Sequence, residues 1–253
     1  MDRAMSKHLA IVLAAGKGTR MASDLPKVLV PVCGRPMIDY VIDALRAGGV
    51  DQILVVVGYR AELVEEHLAG QPDVQFALQG EQLGTGHAVM MCREQLQEHR
   101  GAVLVVTGDS PMCQSSSIRA LLDAYDRDQP ACIVGTTHTD TPAGLGRIVR
   151  DSSGNFLGIV EEKDASPEQR LITEVNMSTY VFDSQKLLEA LDRLTTNNAQ
   201  AEYYITDCPG ILKADGEQVS ALGVLQPCEA LGVNTMDQLA EVEAEMLRMQ
   251  APR

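Results

Sequence analysis

Apolar residues in this chain come in short runs, and between the runs they recur at helical spacing. Leu9–Ala14 is an apolar run of strand length, as are Gln52–Val57, 74–77, 103–106 and 132–137. Segments 39–47, 61–68, 88–98 and 117–126 are amphipathic and read as helices, the first of them following Pro36. Strands alternating with helices in this way predict βαβ units and a mostly parallel sheet. From about Gly146 the texture changes. Gly146–Arg150 and 156–161 flank Ser152-Ser153-Gly154-Asn155, a hairpin signal, and 175–182 is a further strand. Helices over 184–194 and 236–249 are expected after it.

The pattern predicts a single α/β domain over 1–253, with a mostly parallel sheet flanked by helices and a β-rich insertion in its second half. The first half runs over about 7–140, the second over about 141–239, and a C-terminal helix covers about 235–250. In open parallel sheets ligands sit beyond the carboxyl ends of the strands. The loops after Ala14, Ala77 and Val106, and the hairpin, are therefore where a site is expected.

Composition narrows the choice of chemistry. The chain has 253 residues, 45% of them apolar, and a net charge of −14. Such acidity argues against a general nucleic-acid or membrane-surface binder, because phosphate backbones attract a surplus of cations. It leaves room for one small phosphorylated ligand in a local basic pocket. Six cysteines without a CxxC pair point to reduced thiols and a cytoplasmic protein rather than a zinc or disulfide scaffold. No apolar run approaches a membrane span. The run after Lys7 is short and is followed by Lys17 and Arg20, so it reads as a buried first strand rather than a signal peptide.

After that strand comes Leu13-Ala14-Ala15-Gly16-Lys17-Gly18-Thr19-Arg20-Met21. It is neither the dinucleotide fingerprint, which needs Gly where Met21 stands, nor a P-loop. Small residues nevertheless let backbone amides approach an anion. Lys17, Arg20 and Lys27 place three cations within eleven residues. GKG alone reads as a solvated turn; its place at a strand end, with Pro26 and Lys27 behind it, favours a phosphate site.

This opening, with Pro26-Lys27-Val28-Leu29 and Gly34-Arg35-Pro36-Met37, resembles the sugar-1-phosphate nucleotidyltransferases. Gln79-Gly80-Glu81-Gln82-Leu83-Gly84-Thr85-Gly86-His87-Ala88 is similar to the QxEQLGTGHA segment of the N-acetylglucosamine-1-phosphate uridylyltransferases within that family. Glu174-Val175-Asn176, the stretch from Asn197 to Asp207, and Gly232-Val233-Asn234-Thr235 match further segments in order.

The resemblance implies the nucleotide-diphospho-sugar transferase fold. It also implies uridylyl transfer from UTP to N-acetylglucosamine 1-phosphate, giving UDP-N-acetylglucosamine and pyrophosphate with Mg²⁺. Asp109 and Asn234 would be the metal ligands. Arg20 and Lys27 would bind the triphosphate and the transferring phosphoryl group. Leu13, Ala14, Ala15, Gly16 and Gly108 would meet the nucleotide through backbone groups. Gln79 would read the uracil edge, its amide offering the base both a donor and an acceptor, with Gly84 and Thr85 against the base. Thr107, Gly146, Glu161 and Asn176 would line the sugar pocket. Taken singly, several have plainer readings: a turn aspartate at Asp109, helix N-caps at Asn234 and Thr85, a solvated charge run at Glu161, and simple packing at His87.

The chain also departs from the family pattern. Thr107 stands where Tyr is usual, Met177-Ser178 replace Thr-Gly, and Ala201 replaces Gly. These positions bear on which sugar is taken. Two other readings stay open: a related nucleotidyltransferase using another sugar 1-phosphate or dTTP, and a catalytically silent nucleotide-sugar-binding protein. The bifunctional relatives continue into a hexapeptide-repeat β-helix that carries acetyl transfer and trimer assembly. No such period is seen here; if the sequence is that of the whole protein, neither acetyl transfer nor that route to trimers is expected of it. A monomer or small homo-oligomer is expected.

Overall fold

The computed structural model describes residues 8–21 and 23–250. The expected start of the first half at residue 7 lies outside them. The chain opens with β1 (Leu9–Ala14), then a small antiparallel ribbon of β2 (Pro31–Val32) and β3 (Arg35–Pro36) leading into α1 (Met37–Gly48). β4 (Gln52–Val57), α2 (Ala61–His67) and β5 (Val74–Leu78) follow, then α3 (Thr85–Met90), α4 (Arg93–Glu98), β6 (Ala102–Thr107), α5 (Ser115–Asp128) and β7 (Cys132–His138). The hairpin is β8 (Gly146–Arg150) and β9 (Phe156–Val160). The chain closes with β10 (Glu174–Asp183), α6 (Ser184–Leu191), α7 (Asp207–Ala214), β11 (Val219–Leu222) and α8 (Met236–Gln250).

Among the described residues the main sheet has nine strands, with the order β11-β7-β10-β6-β1-β4-β5 and the β8–β9 hairpin joined to it through β10. Its centre is parallel: β1 pairs with β4 and β6, and β4 with β5. β10 runs antiparallel between β6 and β7. The expected α/β architecture is present, and the hairpin extends the same sheet.

Strand periodicity explains why helices cover both faces. In β1, Ala10, Val12 and Ala14 enter one core, while Leu9 and Ile11 enter the other. The first core holds α1, α2 and α5 through Ile38, Val41, Leu45, Val64, Ile118 and Leu121. The second holds α3, α4, α6 and α7 through Val89, Leu96, Leu187, Leu191 and Leu212. Each such aliphatic side chain contributes about 1.5–3 kcal/mol on burial. A third, Met-rich cluster around Met21, Met37 and Met112 ties α8 to the β2–β3 ribbon through Leu239, Val242 and Met246.

Four elements are not expected from the sequence, and one expected helix is split. α7 begins Asp207-Cys208-Pro209-Gly210, where two helix-disfavouring residues mask the period; proline is tolerated there because first-turn amides have no intrahelical partner. β2–β3 and β11 span only two to four residues each, too few for a period to show. The helix expected over 88–98 is α3 and α4, divided at Met91-Cys92, and α3 starts three residues earlier.

This topology decides where a ligand can sit. From β1 the chain moves to β4 and β5 on one side, then returns to β6 on the other. The switch opens a crevice beyond the carboxyl ends of β1 and β6.

Candidate active site

That crevice is a cavity of about 300 Å³. Leu13, Ala14, Ala15 and Gly16 line it from the end of β1, Thr107 and Asp109 from the end of β6, and Gln79, Gly84 and Thr85 from the β5–α3 connection. Lys27 reaches it from the loop after the glycine turn. Four further residues line it that the sequence does not single out: Val28, Gln82, Ala88 and Glu202. Gln82 sits inside a recognisable motif and donates from Nε2 to the Ala15 carbonyl at 2.5 Å, tying two walls together.

At the cavity's edge four residues far apart in sequence converge. Lys27 Nζ pairs with Asp109 and donates to Asn234 Oδ1 at 2.8 Å. Arg20 donates to the same Asn234 oxygen at 3.2 Å. Asn234 is free to do this because Thr235 takes the helix-capping role, its hydroxyl accepting from the Gln238 amide at 3.3 Å. The N-cap reading of Asn234 is thereby corrected. Lys17 turns elsewhere, its ammonium 5.1 Å from the Tyr59 ring centroid.

Gly108 does not line the cavity. Its amide donates to the Leu13 carbonyl at 2.9 Å, and a Cβ there would lie 3.1 Å from both Val12 and Val28. It lets β1 and the Asp109 turn close on one another and so acts from behind the cavity wall.

Thr85 is not the cap of α3 either. Gly84 holds that position, and the Thr85 hydroxyl accepts from the Ile205 amide at 3.1 Å. Gly84 has φ +108°, and the Tyr203 carbonyl crosses directly against it. The segment carrying Glu202 is thus pinned to the wall that Gly84 and Thr85 form.

Of the sugar-side candidates only Thr107 lines the cavity. Gly146 pairs with Asn176 across β8 and β10. Asn176 is 5% exposed. It donates to the Tyr180 hydroxyl at 2.7 Å and accepts from the Ser178 amide at 3.2 Å. Burial pushes the Glu161 carboxyl above its ordinary range, with the Thr206 hydroxyl partly offsetting it. Two thiols are bystanders: burial pushes Cys92 and Cys113 up to about 12, so neither is a thiolate near neutral pH.

The MobA-like NTP transferase domain matches residues 10–207, which spans the cavity walls from β1 to Glu202. The chain belongs to that family. It is 48% identical over 241 residues to the bifunctional protein GlmU of Streptococcus gordonii, covering 95% of this chain and 52% of that protein. It is 47% identical over 242 residues to the protein of the same name from Geobacillus sp. strain WCH70, covering 96% and 52%. The chain spans about half the length of the curated relatives it matches. Among the described residues no helix is long and apolar enough to cross a membrane.

Within this NTP transferase domain the departures from the usual pattern acquire a physical meaning. Ser178 has φ +52° and Ala201 φ +54°, so the left-handed backbone persists where the resemblance puts glycine. An L side chain costs about 1–2 kcal/mol in that region. Ser178→Gly and Ala201→Gly are each expected to raise stability by about 0.5–1 kcal/mol, visible as a higher Tm. An unchanged or lower Tm in both would show that the side chains contribute contacts worth as much as the strain. Thr107 Oγ1 lies 2.7 Å from Ser110 Oγ, a small polar pair where an aromatic ring is usual.

The raised Glu161 carboxyl has a consequence for pH. Its folded-state pKa lies above the unfolded one, so its contribution is fully present below the unfolded pKa and lost as pH rises through the folded value. Glu161→Gln removes that ionisation. The Tm of the variant relative to wild type is therefore expected to climb as pH rises from acidic toward neutral; a pH-independent difference would contradict the assigned burial.

The donor set at Lys27 also bears on a metal. An ammonium there draws in one carboxylate and one amide oxygen. Among the described residues no cluster of three His, Cys, Asp or Glu could hold a metal by itself. Two hard oxygens on one cationic point, with the rest left to water and phosphate, suit Mg²⁺.

Proposed function

We propose that this chain is a uridylyltransferase that joins UTP to N-acetylglucosamine 1-phosphate, releasing pyrophosphate and UDP-N-acetylglucosamine, in the cytoplasm. The observation that carries the reading is the convergence of Arg20, Lys27, Asp109 and Asn234 beside a cavity walled by Gln79, Gly84 and the glycine loop. Family membership and the relatives' names support nucleotidyl transfer; the substrates are our inference.

In this reading the sugar phosphate oxygen attacks the α-phosphorus of UTP in line with the departing pyrophosphate, with no covalent enzyme intermediate. Two polyanions repel, so the chain's work is alignment and charge neutralisation. Lys27 and Arg20 lie along the phosphates, and the backbone from Leu13 to Gly16 packs against the nucleotide. Asp109 and Asn234 would hold Mg²⁺, which when bound would supply charge neutralisation at the phosphate oxygens. Gly146, Glu161 and Asn176 would receive the sugar hydroxyls, Glu161 and Asn176 offering groups that match donors and acceptors alike.

The polar pair at Thr107 and Ser110, where an aromatic ring is usual, favours keeping a second substrate in view: another hexose 1-phosphate. The deciding experiment is a panel of UTP, dTTP and CTP against N-acetylglucosamine 1-phosphate, glucose 1-phosphate and galactose 1-phosphate, read as Mg²⁺-dependent pyrophosphate release. The largest kcat/KM is expected for UTP with N-acetylglucosamine 1-phosphate. A preference for another sugar phosphate moves the assignment to that sugar. Absence of release with every pair, alongside measurable UDP-sugar binding, leaves a silent binding protein.

A further inference from the structure

Gln79 is only 4% exposed yet lines the cavity. Its side-chain nitrogen lies 3.1 Å from the Gly84 carbonyl oxygen and 3.1 Å from His87 Nδ1. A carbonyl oxygen only accepts, so the Gly84 contact decides which end of the Gln79 amide carries the hydrogens. With one amide hydrogen on Gly84, the other meets His87 Nδ1, which must then be the acceptor. The imidazole accordingly carries its proton on Nε2. Among the described residues none donates to Gln79 Oε1, and that oxygen is not among the sealed, unpartnered atoms of the interior. The amide therefore presents an acceptor to a ligand and keeps its donors for the protein. This corrects the expectation that Gln79 offers a base both a donor and an acceptor.

We propose that His87 is a specificity-determining positioning residue, holding the Gln79 amide so that the cavity accepts a pyrimidine with an N3–H and rejects one whose N3 is a lone pair. The inference rests on the uridylyl reading and deepens it. Uracil and thymine carry that hydrogen. Cytosine does not, and its N3 would face Oε1 acceptor against acceptor. The terminal torsion of a glutamine is soft and nearly two-fold, so one partner leaves the flipped amide within reach. Two acceptors on the nitrogen remove it. His87 is held for this task on the first turn of α3, its ring stacked against Tyr203 with centroids 6.4 Å apart. The Gly86 amide donates to the Tyr203 carbonyl at 2.7 Å, locking the two segments together.

The test compares kcat/KM for UTP and CTP, with N-acetylglucosamine 1-phosphate and Mg²⁺, in wild type, His87→Phe and His87→Asn. Phe keeps a ring against Tyr203 and removes the acceptor; Asn offers an acceptor oxygen without the ring. Wild type is expected to favour UTP strongly. The UTP:CTP ratio is expected to fall at least about threefold in His87→Phe, the worth of one neutral hydrogen bond, and to recover partly in His87→Asn. A purely structural role would lower both rates together and leave the ratio unchanged, which overturns the inference while the uridylyl reading stands. Absence of turnover with any triphosphate counts against the uridylyl reading instead; the ratio is then read from calorimetric binding of UMP and CMP, with the same expectation for His87→Phe. A measurement on unmodified protein stands apart from folding of any variant: ¹⁵N NMR of the His87 ring is expected to show the Nε2–H tautomer, and an Nδ1–H tautomer overturns the inference.

Discussion

Lys27→Ala is expected to lower kcat/KM for pyrophosphate release by about a hundredfold, and Asp109→Ala by a similar factor. That is the scale on which a single preorganised partner of a developing charge acts in a water-poor site. Both residues are largely shielded from solvent, with side chains 13% and 25% exposed, so neither charge is screened as a surface pair would be. The two variants should fail differently. Lys27→Ala removes a cation from the phosphates, so raising Mg²⁺ is expected to restore little. Asp109→Ala removes a proposed metal ligand, and high Mg²⁺ is expected to recover part of the rate. Lys27→Arg is not expected to rescue, because a planar fork on a longer arm cannot place one ammonium between Asp109 and Asn234. Because Lys27 and Asp109 pair directly, the double variant is expected to lose less than the product of the single losses. Near-normal rates in both single variants, or strict additivity, would remove the assigned roles. Fold-changes of this kind report lost transition-state stabilisation, so kcat and KM are to be read separately.

How much of this was legible beforehand differs between fold and site. β1 and β4 run over the residues expected of them, because a buried strand writes its pattern locally: each apolar run is its own evidence. α1 and α5 were visible too, with ends extended by a few residues, since their apolar stripes repeat every turn. The convergence at Asn234 could not be read in that way. Lys27 and Asn234 are 207 residues apart, and no local period links them; only the resemblance to other sequences put them in one site. Gln82 and Glu202 were missed although both sit in quoted motifs, because a motif does not say which of its side chains face a cavity. The hydrogen-bond polarity of Gln79 was also beyond reach, since it is set by a backbone carbonyl five residues on and a ring eight residues on. Ser178 and Ala201 show the reverse: the backbone is left-handed at two residues that are not glycine, so sequence propensity pointed away from the conformation adopted.

Gly84→Ala is the second large expected effect, and it acts on stability and on nucleotide binding at once. The residue has φ +108° and ψ 175°, a region reached almost only by glycine and costing an L residue about 1–3 kcal/mol. A Cβ built there would lie 2.5 Å from the Tyr203 carbonyl oxygen, 2.9 Å from the Tyr203 nitrogen and 2.9 Å from Glu202 Cβ. Two of those atoms are backbone, and Tyr203 is itself bound to Leu83 and Gly86, so the segment cannot step aside without losing those bonds. Overpacking of this kind adds about 1–3 kcal/mol. Together the two costs predict a loss of about 2–6 kcal/mol and a Tm fall of roughly 4–24 °C for a chain of this length. Gly80→Ala is the matched control: no atom lies within 4 Å of its Cβ and its φ is not positive, so its Tm is expected to change little. The Gly84 carbonyl also holds the Gln79 amide, so the surviving folded fraction of Gly84→Ala is expected to bind UMP more weakly and to discriminate less against CMP. If Gly84→Ala and Gly80→Ala melted alike, the close crossing of Tyr203 over the wall that Gly84 and Thr85 form would be wrong. The orientation of Gln79, which depends on that wall, would fall with it.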